Sequence, residues 1–311
     1  MPRALLTALG LGAAAGVGAL AWAHLETSMF TLREVTVPVL PPGQPDLRVL
    51  HISDLHLTPS QESKIAWVRS LADLQPDLVV DTGDNMAHVD VLPFLEFALA
   101  PLLEFPGAFV MGSNDYYGPS FKNPTRYLRV DARVARSVEP VPLPAAELAA
   151  TMTAAGWKDL TNRRDTVMAD GRRISLVGVD DPHLDRDEFP AALSGGAAPS
   201  GPAIDLHLGV THAPYTRVLD QMHDDGSDLI LAGHTHGGQL CVPFYGALVT
   251  NCDLDRKRAK GLHGWPGPRP DAPGGNGSTW MHVCAGLGTS PYAPVRFACR
   301  PEATLLTLTA R

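Results

Sequence analysis

An α/β layered fold with polar loops at the ends of its strands is predicted from three features of the chain. Short apolar runs of strand length alternate with segments of helical spacing, and several of the runs stop at residues able to ligate a metal ion. The 311 residues, 45% apolar and 19% charged, are enough to bury a full core. The reading is one domain over residues 35–311 behind an N-terminal segment, 1–34.

From Ala4 to Ala23 there is no charge, and the run is mostly Ala, Gly and Leu. At about 1.5 Å per residue it could cross roughly 30 Å of hydrocarbon as a helix, so a hydrophobic membrane anchor is expected. A cleaved signal segment is the rival, with Arg3 ahead of the run and Ala21-Trp22-Ala23 as a cleavage site, although its apolar core is normally shorter. A buried or interfacial helix is the third reading, favoured by Gly10, Gly12, Gly16 and Gly18, which lower helix propensity and hydrophobicity. Arg3 before the run and Glu26 after it place the remaining chain outside the cytoplasm, associated with the membrane.

The elements then follow in order. Val35 to Val39 reads as a strand, Pro41-Pro42-Gly43 as a turn, and Leu47 to Ile52 as an apolar strand that stops at Ser53-Asp54. Ser60 to Leu74 has helical spacing in Ile65, Val68, Leu71 and Ala72, and Gln75-Pro76 ends it. Leu78 to Val80 is a short buried strand delivering Asp81 to Asp84. Val91 to Leu103 is a second helix, and Ala108 to Met111 a strand ending at Gly112-Ser113-Asn114. Pro119 to Pro144 reads as an irregular surface excursion that could roof a site, and Ala145 to Ala155 as a helix. Arg173 to Val179 is a strand, Pro182 to Leu193 a loop with a short helix, and Gly195 to Pro202 a small-residue loop. Leu206 to Val210 and Leu229 to Leu231 are strands leading into Thr211-His212 and Gly233-His234. Gly261 to Ser278 suits a long surface loop, and Trp280 to Cys284 and Thr304 to Leu308 are the last strands.

A formal net charge of −8 with no block of like charges excludes a surface that tracks nucleic acid. Cys241, Cys252, Cys284 and Cys299 form no C-x-x-C pair, so zinc-ribbon and thioredoxin-like readings fail. Four buried thiols are as good a reading as one or two disulfides, for which Cys241 and Cys252 are the nearest pair in sequence.

Five separate segments carry metal-ligating residues: Asp54-x-His56, Gly83-Asp84, Asn114, His212 and Gly233-His234-x-His236. Seven oxygen and imidazole donors without a thiolate are enough for two ions sharing one carboxylate, an arrangement that generates a nucleophile toward a phosphate ester. Period-two spacing would put both donors of Asp54-x-His56, and of His234-x-His236, on one side if the backbone stays extended. Gly83 would let the chain turn sharply enough to present Asp84. A lone D-x-H is weak; its recurrence with the others at strand ends is strong.

In this order the residues resemble the calcineurin-like metallophosphoesterases over roughly 35 to 310. Within that family they are similar to the bacterial membrane-associated or exported YkuE/YaeI-like phosphodiesterase branch, through Gly233-His-Thr-His-Gly-Gly-Gln239, Gly286-Leu-Gly-Thr-Ser290 and Arg296-Phe297. The resemblance implies a four-layer α/β/β/α sandwich with a dinuclear metal site at the strand ends, behind the N-terminal hydrophobic helix. It implies one ion on Asp54, His56, Asp84 and His236 and another on Asp84, Asn114, His212 and His234, with a bridging hydroxide attacking phosphorus. The ions would be Mn, Fe or Zn, which mixed His, Asp and Asn donors all suit.

One departure stands out. The family's third motif usually reads Gly-Asn-His-Asp or Gly-Asn-His-Glu, whereas this chain has Gly112-Ser113-Asn114-Asp115. Without a gap, Ser113 takes the ligand position; by chemistry, Asn114 does, and Asp115 replaces the histidine that protonates the leaving group. The second alignment is preferred because an amide oxygen is the better ligand. Asp115 and His88 are the candidates for the missing acid. His51 reads as a packed core residue, Asp81 as a turn carboxylate or a support for a ligating His, and Asp180 to His183 as a solvated loop ahead of the alternative, a segment that adds outer or substrate contacts to the site. Tyr116 and Tyr117 read as cleft or core residues.

The expected activity is therefore hydrolysis of a phosphodiester or pyrophosphate-type bond in a small-molecule or lipid-linked substrate. The competing readings are a metal-bound receptor or scaffold with little catalysis, and another metallohydrolase such as an amidase.

Overall fold

Residues 16–120, 141–191 and 204–311 are described in the computed structural model of the protein. They build two six-stranded sheets. The first runs β1 (Thr31–Leu40), β14 (Glu302–Ala310), β2 (Leu47–Ile52), β3 (Leu78–Asp81), β4 (Gly107–Phe109), β5 (Lys158–Asp159). The second runs β12 (Gly261–Trp265), β13 (Thr279–Val283), β9 (Leu229–Ala232), β8 (Leu206–Thr211), β7 (Arg172–Gly178), β6 (Arg163–Ala169). β10 (Cys241–Val242) and β11 (Gly246–Ala247) form a separate hairpin.

The apolar runs become central strands because both faces of each are covered. Val49, Leu78 and Val80 of the first sheet meet Leu176, Leu208 and Leu231 of the second in a shared core. On the other side of the first sheet, Leu50, Ile52 and Val79 pack with Ile65, Val68, Leu95 and Leu148, carried by helices Glu62–Ser70, Leu92–Leu99 and Ala145–Ala154. On the other side of the second, Ile230, Met281 and Val283 pack with Val218, Leu219 and Met222 of helix Thr216–Asp224. Each such side chain contributes about 1.5–3 kcal/mol when fully buried. β2, β3 and β4 are parallel, as are β7, β8 and β9, so the loops after β2, β3, β8 and β9 each leave a strand's carboxyl end. Those loops hold Asp54, Asp84, His212 and His234.

Several expectations need correction. The stretch 261–278 is not loop throughout: Gly261–Trp265 pairs antiparallel with β13 from Gly261↔Val283 to Trp265↔Thr279. The two expected helices are shorter than their apolar spacing, each closing in a separate 3-10 turn, Leu71–Leu74 and Leu102–Glu104. The edge strands β5 and β6 and helix Thr216–Asp224 were not anticipated. Within the expected excursion 119–144, residues 121–140 lie outside the described residues, as does the loop Gly195 to Pro202.

Of the expected N-terminal helix, residues 16–26 are described, and 1–15 are not. No helix among the described residues is long and apolar enough to cross a membrane. Ala23 and Glu26 are buried, whereas Val17, Leu20, Trp22 and Leu25 are exposed. All four thiols are free and buried. Cys241 lies beside Cys299 rather than Cys252, and the Gly237 carbonyl is 3.2 Å from the Cys241 sulfur and 3.5 Å from that of Cys299.

Candidate metal centre

The loops after β2, β3, β8 and β9 converge on one point. His56 Nε2 and His236 Nε2 are 3.2 Å apart, and His212 Nε2 and His234 Nδ1 are 3.3 Å apart. His56 Nε2 lies 3.4 Å from Asp84 Oδ2, and His212 Nε2 3.4 Å from Asp84 Oδ1, so Asp84 sits between the two histidine pairs. Asp54 Oδ1 lies 3.6 Å from His236 Nε2. Two overlapping sets of ligand atoms result: Asp54, His56 and His236, and Asp54, Asp84 and His212. Asn114 joins through its amide Nδ2, 2.7 Å from Asp84 Oδ2, and its backbone N–H, 2.7 Å from Oδ1. Ser113 does not displace it; its hydroxyl meets the Asn114 amide at 3.4 Å.

The donors do not reach this point through extended backbone. Asp54 (φ 49°), His56 (φ 40°), Asp84 (φ 59°), His234 (φ 67°) and His236 (φ 50°) are all left-handed, a region that costs a side-chain-bearing residue energy. The expectation of an extended D-x-H is therefore corrected: tight loops, not strand periodicity, aim the donors. Gly83, at φ 87°, makes the turn before Asp84, with no room for a Cβ against the Gly112 amide.

Outer contacts set which ring nitrogen faces inward. His212 Nδ1 lies 2.7 Å from the Thr82 carbonyl, His236 Nδ1 3.1 Å from the Gly288 carbonyl, and His234 Nε2 3.2 Å from the Asn251 carbonyl. A carbonyl only accepts, so His212 Nδ1 carries a hydrogen; the Gly288 and Asn251 carbonyls favour the same arrangement at His236 and His234, where Arg296 Nη2 (3.3 Å) and the Asn251 amide (3.5 Å) also approach. Ring nitrogens this close to one another and to two carboxylates suit a shared cation. Asp54 gives the same indication: Oδ2 accepts from Ser53 Oγ (2.5 Å) and His234 N–H (2.9 Å), while buried Oδ1 has no donor. The residues present thus fit a divalent ion or two.

The electrostatics agree. Burial pulls His56 down to about 4 and His234 and His236 well below the usual imidazole range. Burial also opposes a charge on His212, but the Asp84 carboxylate outweighs it and holds that imidazole well above its ordinary value. Burial pushes Asp54 up to about 6; Asp84 is held well below its usual range because the His212 charge overcomes its burial. The carboxylates Asp54 and Asp84 thus favour positive charge in the cluster.

The two expected acids fall outside the cluster. Asp115 is fully buried, and its carboxylate accepts the backbone N–H groups of Asp84 (2.8 Å), Asn85 (2.8 Å) and Gly112 (2.9 Å). These three bonds tie the loops after β3 and β4 together. His88 is half exposed and has Asp90 beside it at 3.9 Å.

Other residues surround the site. The Asp180-Asp181-Pro182-His183 segment is not a solvated loop: both carboxylates are buried, and the His183 ring lies 4.6 Å from that of His234. Tyr116 OH donates to Asp180 at 2.8 Å. Asp81 accepts from Gly83 N–H, as a turn carboxylate does. His51 is a core residue, 2.9 Å from His282 and 3.1 Å from Thr82 Oγ1. Arg296, noted only as part of a motif, is fully buried and donates to the carbonyls of Ala285, Gly286 and Gly288 at 2.8–3.0 Å and of His236 at 3.4 Å. It binds the 285–288 loop to the backbone of His236.

Buried carboxylates and imidazoles gathered in the loops after β2, β3, β8 and β9 form the donor set of a metallohydrolase, and comparison with known proteins gives its class, a hydrolase of phosphoester bonds. Residues 47–238 match the calcineurin-like phosphoesterase family, and the chain belongs to it. It is 27% identical to the uncharacterized metallophosphoesterase YkuE of Bacillus subtilis, covering 98% of this chain and 95% of that one. It is 27% identical to the phosphodiesterase YaeI of Escherichia coli, covering 84% and 82%. It is 26% identical to the UDP-2,3-diacylglucosamine pyrophosphatase LpxG of Chlamydia trachomatis, covering 84% and 83%.

Proposed function

We propose that this hydrolase is a two-metal phosphodiesterase or pyrophosphate-bond hydrolase in a four-layer α/β/β/α sandwich, held at the membrane by its N-terminal segment with the domain outside the cytoplasm. The observation that carries the metal reading is the convergence of four histidine ring nitrogens around Asp84, with Asp54 Oδ1 buried beside them and without a donor. Asp54, His56, Asp84 and His236 would hold one ion, and Asp84, Asn114, His212 and His234 the other. The three packed cores, either side of and between the two sheets, support the four layers.

Two such ions polarise phosphoryl oxygens and acidify water, which is the chemistry a phosphodiester requires. The chain's own groups supply the rest. Asp84 sits between the histidine pairs, and Thr82, Gly288 and Asn251 orient the three imidazoles through their carbonyls. Asn114 serves as a ligand when its amide is turned by half a rotation, which puts Oδ1 where Nδ2 now stands. The names of the relatives YaeI and LpxG, a phosphodiesterase and a pyrophosphatase of a lipid-linked sugar nucleotide, support the preference for diesters and pyrophosphate-type bonds. Mn, Fe and Zn all suit the donors.

Asp84→Ala should abolish hydrolysis of bis(p-nitrophenyl) phosphate by metal-loaded protein while the far-ultraviolet spectrum stays native. Unchanged turnover would sink the mechanism. High-affinity binding of phosphodiesters with no hydrolysis under any of the three metals would favour a receptor instead.

A further inference from the structure

The hairpin of β10 and β11 carries an apolar surface that nothing among the described residues covers. Leu240, Val242, Phe244, Tyr245 and Leu248 are all exposed, Phe244 completely, within nine residues of chain. Single exposed apolar side chains are ordinary, but a cluster at a hairpin tip marks a contact surface. Behind the hairpin lies a cavity of about 390 Å3 whose opposite wall is basic, with Arg256, Lys257 and Lys260. The Arg256 guanidinium lies over the Tyr245 ring at 5.0 Å, and neither Arg256 nor Lys257 has a carboxylate partner among the described residues. An apolar tip backed by unpaired cations, in a chain of net charge −8, matches the layering of an anionic bilayer surface.

The position of the hairpin gives the second argument. Leu240 bridges to Phe297, and Gln239 donates to the carbonyls of Ala293 and Val295 at 2.9 Å. The same segment receives the N-terminal helix: Arg296 N–H donates to the Ala23 carbonyl at 2.8 Å, and Glu26 accepts from the N–H groups of Ala298 and Cys299 at 3.1 and 2.7 Å. Hairpin and apolar helix are thus mounted on one support. The cavity's lining also includes Gly237, next to the candidate ligand His236.

We infer that the 240–248 hairpin is a second membrane contact, inserting Val242, Phe244 and Tyr245 into an anionic bilayer with Arg256 and Lys257 at the lipid phosphates. The occupant of this surface is lipid, not a second copy of the chain. The inference rests on the membrane attachment proposed above, and not on the metal chemistry.

The test uses full-length protein reconstituted in vesicles of phosphatidylcholine and phosphatidylglycerol. Phe244→Cys is labelled with an environment-sensitive fluorophore, the native thiols being buried. A label at Met168→Cys on β6, an exposed apolar position away from the hairpin, serves as the control. The expected result is blue-shifted emission at 244, quenched by lipids brominated on the acyl chain and shielded from aqueous iodide, with the reverse at 168. Arg256→Glu with Lys257→Glu should reduce the bromolipid quenching at 244. Equal iodide access at both positions would overturn the inference, and so would a label at 244 shielded from iodide but untouched by bromolipid, the signature of a protein partner. Failure of the protein to float with vesicles at all would overturn the hairpin contact and the N-terminal attachment together, and none of these outcomes bears on the metals.

Discussion

The Asp115 carboxylate holds the backbone N–H of Asp84 at 2.8 Å, and thereby the turn that brings Asp84 between the histidine pairs. Two further amides, of Asn85 and Gly112, bind the same carboxylate, so three loop positions depend on one buried side chain. Burial and the neighbouring Asp84 push its carboxyl up to about 7, against the pull of those amides.

Asp115→Asn therefore tests a structural role against an acid role. An amide offers one accepting oxygen and turns its NH2 toward at least one backbone donor, leaving it unsatisfied at a cost of about 1–3 kcal/mol. Thermal denaturation should show a lower Tm, and metal content per chain should fall. The acid and alkaline limbs of the rate profile should keep their positions once activity is normalised to bound metal. Disappearance of one limb in a stable, fully loaded variant would restore Asp115 as the proton donor.

Metal removal should be felt in stability as well as rate. Ligands that bind only the folded state stabilise it by about 2.7 kcal/mol at a hundred times their Kd. Chelation should thus lower the Tm of the wild-type protein, and Mn, Fe or Zn should restore it. In Asp84→Asn, where the residue between both histidine pairs has lost its charge, the Tm response to metal should largely vanish. A full response in that variant would place the ions elsewhere.

These roles show where the sequence was informative. Leu47–Ile52 and Leu229–Ala232 were legible because strands buried on both faces are unbroken apolar runs, and their ends deliver Asp54 and His234. β6 was not, because RRDTVMA is an edge strand in which polar residues alternate with only Val167 and Ala169 buried. The Gly in Gly261–Trp265 mimicked loop composition, and its pairing partner β13 lies some fifteen residues on. Asp181 and His183 leave β7, and their meeting with the loop after β9 depends on strand order rather than local pattern. Arg296 sits sixty residues beyond His236 and finds it only through tertiary packing.

The close approach at Gly288 predicts a sensitive position. Its backbone lies against Leu55 and His56, and its N–H donates to the Asp54 carbonyl at 2.6 Å. A Cβ there would meet the Leu55 carbonyl and lie 2.7 Å from His56 Cβ, so the D-x-H loop itself would have to move. Gly288→Ala should lose about 1–3 kcal/mol of stability from overpacking. It should also lose metal affinity, read by titration against a chelating indicator. Ala at Gly43, with open space around it, should change metal affinity little, although its positive φ makes it a fair control for backbone strain.

Lys64 gives a pH-dependent prediction. On helix Glu62–Ser70 its buried ammonium donates to the Leu55 carbonyl at 2.8 Å, and burial, with Arg296 nearby, brings its pKa down to about 7. An unfolded lysine titrates near 10.4, so between about 7 and 10 the unfolded chain binds the extra proton. Stability then rises with pH through that window, by at most about 1.4 kcal/mol per unit, and below it the folded state carries the full cost of the buried charge. Lys64→Met removes this dependence while giving up one hydrogen bond worth about 1 kcal/mol. The variant should therefore be as stable as wild type or more so at pH 6.5, and should lose ground steadily as the pH approaches 10. Urea denaturation at several pH values measures the difference directly. A constant difference would mean that Lys64 keeps its proton in the fold throughout, held by a partner stronger than the Leu55 carbonyl.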